Sequence, residues 1–338
     1  MRELSRTRTL LAVLLLTGLA GAVPPPGISQ EEPAAEFGEQ VSVGYVLVPV
    51  IVRSGTGYAR NLDQEDFKLL VDGRPARIES FERRAEAPAS VVFLQDLSGS
   101  MENAGKIEIS REVVRFFLKT AVEGDEFSLA TFAGGIRQVE VPFTGNRATL
   151  AEAVTGWEAY GTTALHDAVA WVPEISLEGR NPKRFAILIT DGVDNASQIP
   201  PEQAREIVRS AQLPVYVLGL QPSDLPRAPK PAPAANGAAA PATEAEAQAQ
   251  AVYRYADLLQ ELAASTGGRY YSISGPDDLR EVLTGIIKDF RHQYVLGFAT
   301  GEGPSRYRAL TVEVRGRNRP VLFRRGYQGP PPPSPTGG

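Results

Sequence analysis

From residue 91 onward the chain repeats one pattern: a short, wholly apolar run, then a stretch whose apolar residues recur at helical spacing. The runs include Val91-Val92-Phe93-Leu94, residues 185–189 and residues 215–218. Each is too short for a buried helix and apolar on both sides, as strands are when both faces of their sheet are covered. Residues 127–132, 139–143 and 269–273 complete the strands. Between them, residues 107–120 put Ile109, Val113, Phe116 and Phe117 on one side of a helix. Further helices are predicted over 149–154, 165–172, 201–211, 255–265 and 279–290, with Pro200-Pro201 opening the third of these, where proline is tolerated. Such alternation predicts an α/β fold: a Rossmann-like, doubly wound, mostly parallel sheet with helices on both faces.

The flanks read differently. Residues 41–52 are dense in β-branched side chains and predict a strand, closed by a turn at Ser54-Gly55-Thr56-Gly57. Residues 67–71 form a second strand, Asp72-Gly73 is a hairpin signal, and 77–81 are the expected return strand. After the last helix, residues 293–298, 310–315 and 321–324 alternate like strands again. The expected division is a β unit over 41–86, an α/β domain over 88–290 and a closing β part over 291–328. One arrangement pairs the two β parts into a small sandwich with the α/β domain inserted in it. Residues 222–250 are rich in Pro and Ala and read as a disordered insertion. Residues 23–40 and 329–338 read as a flexible lead-in and a flexible tail.

The first 22 residues read as an export signal. Arg2, Arg6 and Arg8 precede an apolar stretch over 10–19 that is too short to span a bilayer comfortably, and Ala20-Gly21-Ala22 offers a cleavage site. The rival is an uncleaved N-terminal anchor. Either reading places the chain in the periplasm or outside the cell. No later stretch is apolar enough, over enough residues, to be a transmembrane helix.

Composition removes several chemistries. There are no cysteines, hence no disulfide framework, no thiolate nucleophile and no Cys-based zinc site, and only two histidines, His166 and His292. A net charge of -5 without a basic stripe argues against nucleic acid as a partner. What remains is oxygen chemistry. Asp96-Leu97-Ser98-Gly99-Ser100 directly follows the first buried strand, and ligands of open α/β sheets bind outside the carboxyl ends of strands. Gly161-Thr162-Thr163 and Thr190-Asp191-Gly192 should meet the same crevice. Together they offer Asp96, Ser98, Ser100, Thr163 and Asp191, hard oxygen ligands suited to Mg²⁺, Mn²⁺ or Ca²⁺.

Asp96-x-Ser98-x-Ser100, with Thr163 and Asp191 each on its own loop, resembles the metal-ion-dependent adhesion site of von Willebrand factor A domains. The resemblance covers roughly residues 88–290 without the insertion. The flanks are similar to one bacterial subgroup, the VWFA-related proteins frequent in Acidobacteria. Asp66-Phe67 with Val71-Asp72-Gly73, Gln293-Tyr294-Val295-Leu296-Gly297-Phe298 and Arg325-Gly326-Tyr327 carry that likeness, and His166 stands where the subgroup has Tyr. The resemblance implies direct metal ligation by Ser98 and Ser100. It implies direct or water-mediated ligation by Thr163, and action at least partly through water by Asp96 and Asp191. It further implies adhesion or protein–protein interaction, with an acidic side chain from a protein partner completing the metal's coordination.

Other readings stand beside this one. The chain could be a cell-envelope scaffold in which metal only stabilises the loops; chelation would then lower thermal stability without abolishing binding. A serine hydrolase using Ser98 or Ser100 with His166 is the remote alternative. No Gly-x-Ser-x-Gly elbow, P-loop, dinucleotide fingerprint or His-Glu-x-x-His is present, so no enzymatic activity is expected. Around the site, Asp167 is expected to cap or orient the helix after Thr163. Asp194 and Asn195 either tune the site or finish their loop and cap the next helix. Trp157 and Tyr160 are either core or exposed contacts.

Overall fold

The structure is a computed structural model that describes residues 44–329, apart from 55–56, 84–86, 221–243, 274, 301–305 and 316–320. The export signal, the lead-in 23–40, most of the insertion and nearly all of the tail lie outside the described residues. Three sheets make up the rest.

The strands before the α/β part are β1 (Tyr45–Ser54), β2 (Gly57–Tyr58), β3 (Phe67–Val71), β4 (Arg74–Ala76) and β5 (Ser80–Arg83). Then come β6 (Ala89–Asp96), α1 (Lys106–Thr120), β7 (Glu126–Ala133), β8 (Ile136–Thr144), α2 (Arg147–Ala153), α3 (Leu165–Leu177) and β9 (Lys183–Thr190). These are followed by α4 (Pro201–Ser210), β10 (Val215–Leu220), α5 (Glu244–Thr266), β11 (Tyr270–Ile273) and α6 (Pro276–Arg291). The chain closes with β12 (Gln293–Ala299), β13 (Tyr307–Val314), β14 (Val321–Phe323) and β15 (Gly326–Gln328).

The central sheet runs β11-β10-β9-β6-β7-β8, parallel throughout except for the antiparallel edge strand β8. Its strands are apolar on both sides because both faces are covered. Val91 and Phe93 of β6 join Phe185, Ile187 and Ile189 of β9 in a core with Val113 and Phe117 of α1 and Leu283, Ile286 and Phe290 of α6. The alternate residues, Val92 and Leu94 with Ala186 and Leu188, pack on α3, α4 and α5 through Val169, Val208 and Leu262. Period-two alternation in strands buried on both faces thus produces two cores rather than one.

The flanking strands pair across the whole sequence. β1 lies antiparallel to β12, from Tyr45 opposite Ala299 to Ile51 opposite Gln293. β14 and β5 complete that sheet, with β2 folded onto β1. The second sheet, β15-β13-β3-β4, also mixes early and late strands. Their inner faces share a third core, in which Val46, Val48, Val50 and Val52 of β1 meet Leu69, Leu296, Leu310 and Val312.

Three expectations need correction. The hairpin return strand is Arg74–Ala76, not 77–81: Asp72 and Gly73 both take positive φ, 50° and 77°, and a two-residue turn of that kind reverses the chain at once. The chain then crosses over, and Ser80–Arg83 joins the other sheet beside β12. Residues 244–250 are not part of a disordered insertion but the first turns of α5, since they are Glu, Ala and Gln throughout, all good helix formers. Finally, α3 does not stop before Pro173 but runs on to Leu177, seating Ile175 in the core.

Candidate metal centre

The crevice forms at the carboxyl end of the central sheet, where β6 and β9 are adjacent and parallel. Parallel neighbours deliver their next loops to the same edge, so Asp96 at the end of β6 and Thr190-Asp191 at the end of β9 arrive together. Asp96 is fully buried. One of its carboxylate oxygens accepts the Ser98 backbone N–H at 2.8 Å, and the other accepts the Thr190 hydroxyl at 2.6 Å. Burial pushes its pKa up to about 6; the neighbouring Asp191 charge adds to the rise, while the Ser98 and Thr190 bonds oppose it. Thr190 also accepts the Gly192 N–H at 3.0 Å, which ties the turn after β9 to the Asp96 carboxylate.

Ahead of this buried layer stand the hydroxyls. Ser98 Oγ and Ser100 Oγ are 3.3 Å apart, and Ser100 Oγ donates to Asp191 Oδ1 at 3.0 Å. The loop carrying Thr163 is held alongside by backbone. Gly99 N–H donates to the Gly161 carbonyl at 3.0 Å, and Asn195 Oδ1 accepts the Thr163 N–H at 2.8 Å. Among the described residues no hydrogen bond joins the Thr163 hydroxyl to Ser98, Ser100 or Asp191, so its backbone alone sets its place. Gly161 is required there: its φ is +68°, and a Cβ would lie 2.7 Å from Gly134 Cα in the β7–β8 turn. Asp96, Ser98, Ser100 and Asp191 therefore form one connected cluster, with Thr163 on the adjoining loop.

The sequence places Thr190 on the crevice and Asn195 close behind it, but does not single out Lys106. Thr190 and Asn195 orient Asp96 and Thr163. Lys106, the first residue of α1, places its ammonium 2.7 Å from Asp191 Oδ2 and 3.0 Å from the Ser100 carbonyl. A helix N-terminus ordinarily disfavours a cation, so nothing local marks this lysine as part of a site.

Some neighbouring residues also differ from expectation. Asp194 does not cap the following helix α4; with Ser197 it accepts the His166 N–H and so caps α3. Asp167 instead accepts the Gln198 and Ile199 N–H groups, because the loop after β9 folds back over the start of α3. Trp157 is core and donates Nε1–H to Glu140 at 2.8 Å, whereas Tyr160 is exposed. His166 Nδ1 lies 3.5 Å from Asp194 Oδ2, and among the described residues it bonds to neither Ser98 nor Ser100. The nucleophile–base pair of the hydrolase reading is not formed.

The donor set fits a hard cation. Cis ligands about 2.1 Å from an octahedral ion stand about 3 Å apart, the spacing seen from Ser98 to Ser100 to Asp191. The Lys106 ammonium, on the other Asp191 oxygen and the Ser100 carbonyl, shows that this cluster attracts positive charge. Among the described residues no group of three or more His, Cys, Asp and Glu side chains forms a metal cage, so any ion here would depend on hydroxyls and two carboxylates.

These features define a class: a doubly wound α/β domain with an oxygen-lined crevice at the ends of its central strands. Residues 91–193 match the family model of the von Willebrand factor type A domain, and the chain carries such a domain. It is similar to inter-alpha-trypsin inhibitor heavy chain H3 of Homo sapiens and of Bos taurus. Each is 30% identical over 146 residues, which cover 39% of this chain and 16% of the relative, so the chain spans only a small part of their length. Similar solved structures include a von Willebrand factor type A protein from Catenulispora acidiphila, 13% identical, with TM-score 0.47 over 82% of this chain and 74% of that chain. An aerotolerance-related membrane protein from Bacteroides fragilis is 19% identical, with TM-score 0.43 over 60% of this chain and 98% of that chain.

Proposed function

We propose that this chain is an exported, non-enzymatic interaction protein that holds one divalent cation, Mg²⁺ or its congeners Mn²⁺ and Ca²⁺, among Asp96, Ser98, Ser100, Thr163 and Asp191. The observation that carries this reading is the spacing of the Ser98, Ser100 and Asp191 oxygens in front of the buried Asp96 carboxylate. A cation bound there supplies an electrophilic centre with a coordination position for a carboxylate from a partner protein. Ser98, Ser100 and Thr163 contribute neutral oxygens, which leave the ion's charge largely uncompensated. Asp96 holds the Ser98 loop from behind by accepting the Ser98 N–H, and the Thr190 hydroxyl ties that carboxylate to β9. A charge-assisted contact in such a crevice is stronger than a surface ion pair. The arginine-rich start, short apolar run and Ala-Gly-Ala site of residues 1–22 support export. Among the described residues no helix is long and apolar enough to cross a membrane.

The test is calorimetric titration of Mg²⁺ and Mn²⁺ into the protein, with Asp96→Ala as control. Saturable binding of one ion per chain, lost in the variant, is the expected result, and it would be followed by a chelator-sensitive pull-down of acidic partners. Failure of every divalent ion to bind would end the metal reading.

A further inference from the structure

Lys106 is in an unusual position. It is the first residue of α1, and the preceding Ala104 and Gly105 both take left-handed φ, 55° and 68°, turning the chain sharply just before it. Its side chain is only 8% exposed, as is that of Asp191. Burying an ammonium at the positive end of a helix is unfavourable on two counts. What offsets this is the contact with Asp191 Oδ2 and the Ser100 carbonyl. A residue that breaks the local rule and is then stabilised only by members of one site belongs to that site.

The charge count gives the consequence. Asp96 and Asp191 contribute two negative charges, and Lys106 returns one positive charge. Both Asp191 oxygens are engaged, one by the Ser100 hydroxyl and the other by Lys106. The crevice therefore presents a net single negative charge to an incoming divalent cation. Once the cation is in place, the cluster carries one surplus positive charge, which one carboxylate neutralises.

We propose that Lys106 is a resident cation that couples the two ligands of this site: it holds the affinity for a divalent ion alone low and makes the ion bind together with a carboxylate. This rests on the metal-centre reading above and adds to it a residue that sets what the site accepts. Lys106 keeps the crevice balanced when no ion is present, and the ion and the acidic ligand stabilise one another when both arrive.

The experiment compares the wild-type chain with Lys106→Met and Lys106→Gln. Mn²⁺ is titrated calorimetrically, alone and with acetate as the carboxylate probe, and thermal midpoints are measured in EDTA. Both neutral variants should bind Mn²⁺ alone at least tenfold more tightly than wild type. Acetate should raise Mn²⁺ affinity severalfold in wild type and little in the variants. A purely structural lysine would lower the EDTA midpoint without tightening Mn²⁺ binding. If folded variants bind Mn²⁺ no better than wild type, the inference is wrong while the metal centre stands. If the variants do not fold, the wild-type measurement decides: no enhancement by acetate overturns the inference. Absence of Mn²⁺ binding in all three proteins overturns the metal-centre reading itself, and this inference with it.

Discussion

Asp289→Ala should separate the α/β domain from the β-sandwich. Asp289 lies on α6, and its side chain is 1% exposed. It accepts Arg53 Nη2 of β1 at 2.9 Å, the Tyr58 hydroxyl of β2 at 2.6 Å and, more distantly, the Tyr271 hydroxyl of β11 at 3.4 Å. One carboxylate thus joins a helix of the inserted domain to two strands of the flanking sheet. Removing one partner of a buried pair costs about 3–5 kcal/mol, because the other charge loses its compensation. Arg53 is 33% exposed and can regain some water, which sets the expected loss near the lower end, about 3 kcal/mol. At roughly 2–4 °C per kcal/mol for a protein of this size, the midpoint should fall by about 6–12 °C. Both tryptophans, Trp157 and Trp171, lie in the α/β domain, so their fluorescence reports that domain while circular dichroism reports the whole chain. Urea transitions by the two probes should diverge in Asp289→Ala, as they do when two-state behaviour is lost. The Tyr271 phenol, raised to about 12 by burial and by the Asp289 charge, should titrate lower in the variant. Unchanged midpoints, with coincident transitions, would refute the idea that Asp289 is the latch.

Glu126 is buried at the amino-terminal end of β7 and accepts bonds from Ser90 Oγ, Arg180 N–H and Arg180 Nε. Burial alone would raise its pKa, but these bonds together hold it below the ordinary value of 4.5. Its stabilisation is therefore complete above the unfolded pKa and disappears as pH falls through the folded one; Glu126→Gln should cost about 1–2 kcal/mol at neutral pH and almost nothing near pH 3, by urea unfolding. Arg324 is buried, its three guanidinium nitrogens have no partner among the described residues, and burial lowers its pKa to about 10. Arg324→Met should thus raise stability by about 1–3 kcal/mol, and a loss instead would reveal an anion beside it. Gly161→Ala forces a Cβ against Gly134, so it should destabilise by about 1 kcal/mol or more and weaken Mn²⁺ binding measured by calorimetry.

Much of this architecture is legible along the chain because it rests on local periodicity. A run as short as 185–189 reads as a strand covered on both faces, and strands that alternate with helices become parallel neighbours. Parallel strands then send their following loops to one edge, which is why Asp96, Ser98, Ser100 and Asp191 could be placed together without coordinates. Pairing between distant segments has no local signature. The β1–β12 ladder joins residues about 250 positions apart, and the sequence suggested that the two flanking parts pair but not which strands meet. The short return strand Arg74–Ala76, the passage of Ser80–Arg83 into the other sheet and the cap on α3 from Asp194 depend in the same way on which surfaces meet. Lys106 is the clearest case. By propensity it belongs elsewhere in a helix, and by composition it is one of many surface cations. Only the fold brings it from the start of α1 to Asp191, 85 residues later, because burial leaves its charge no better partner.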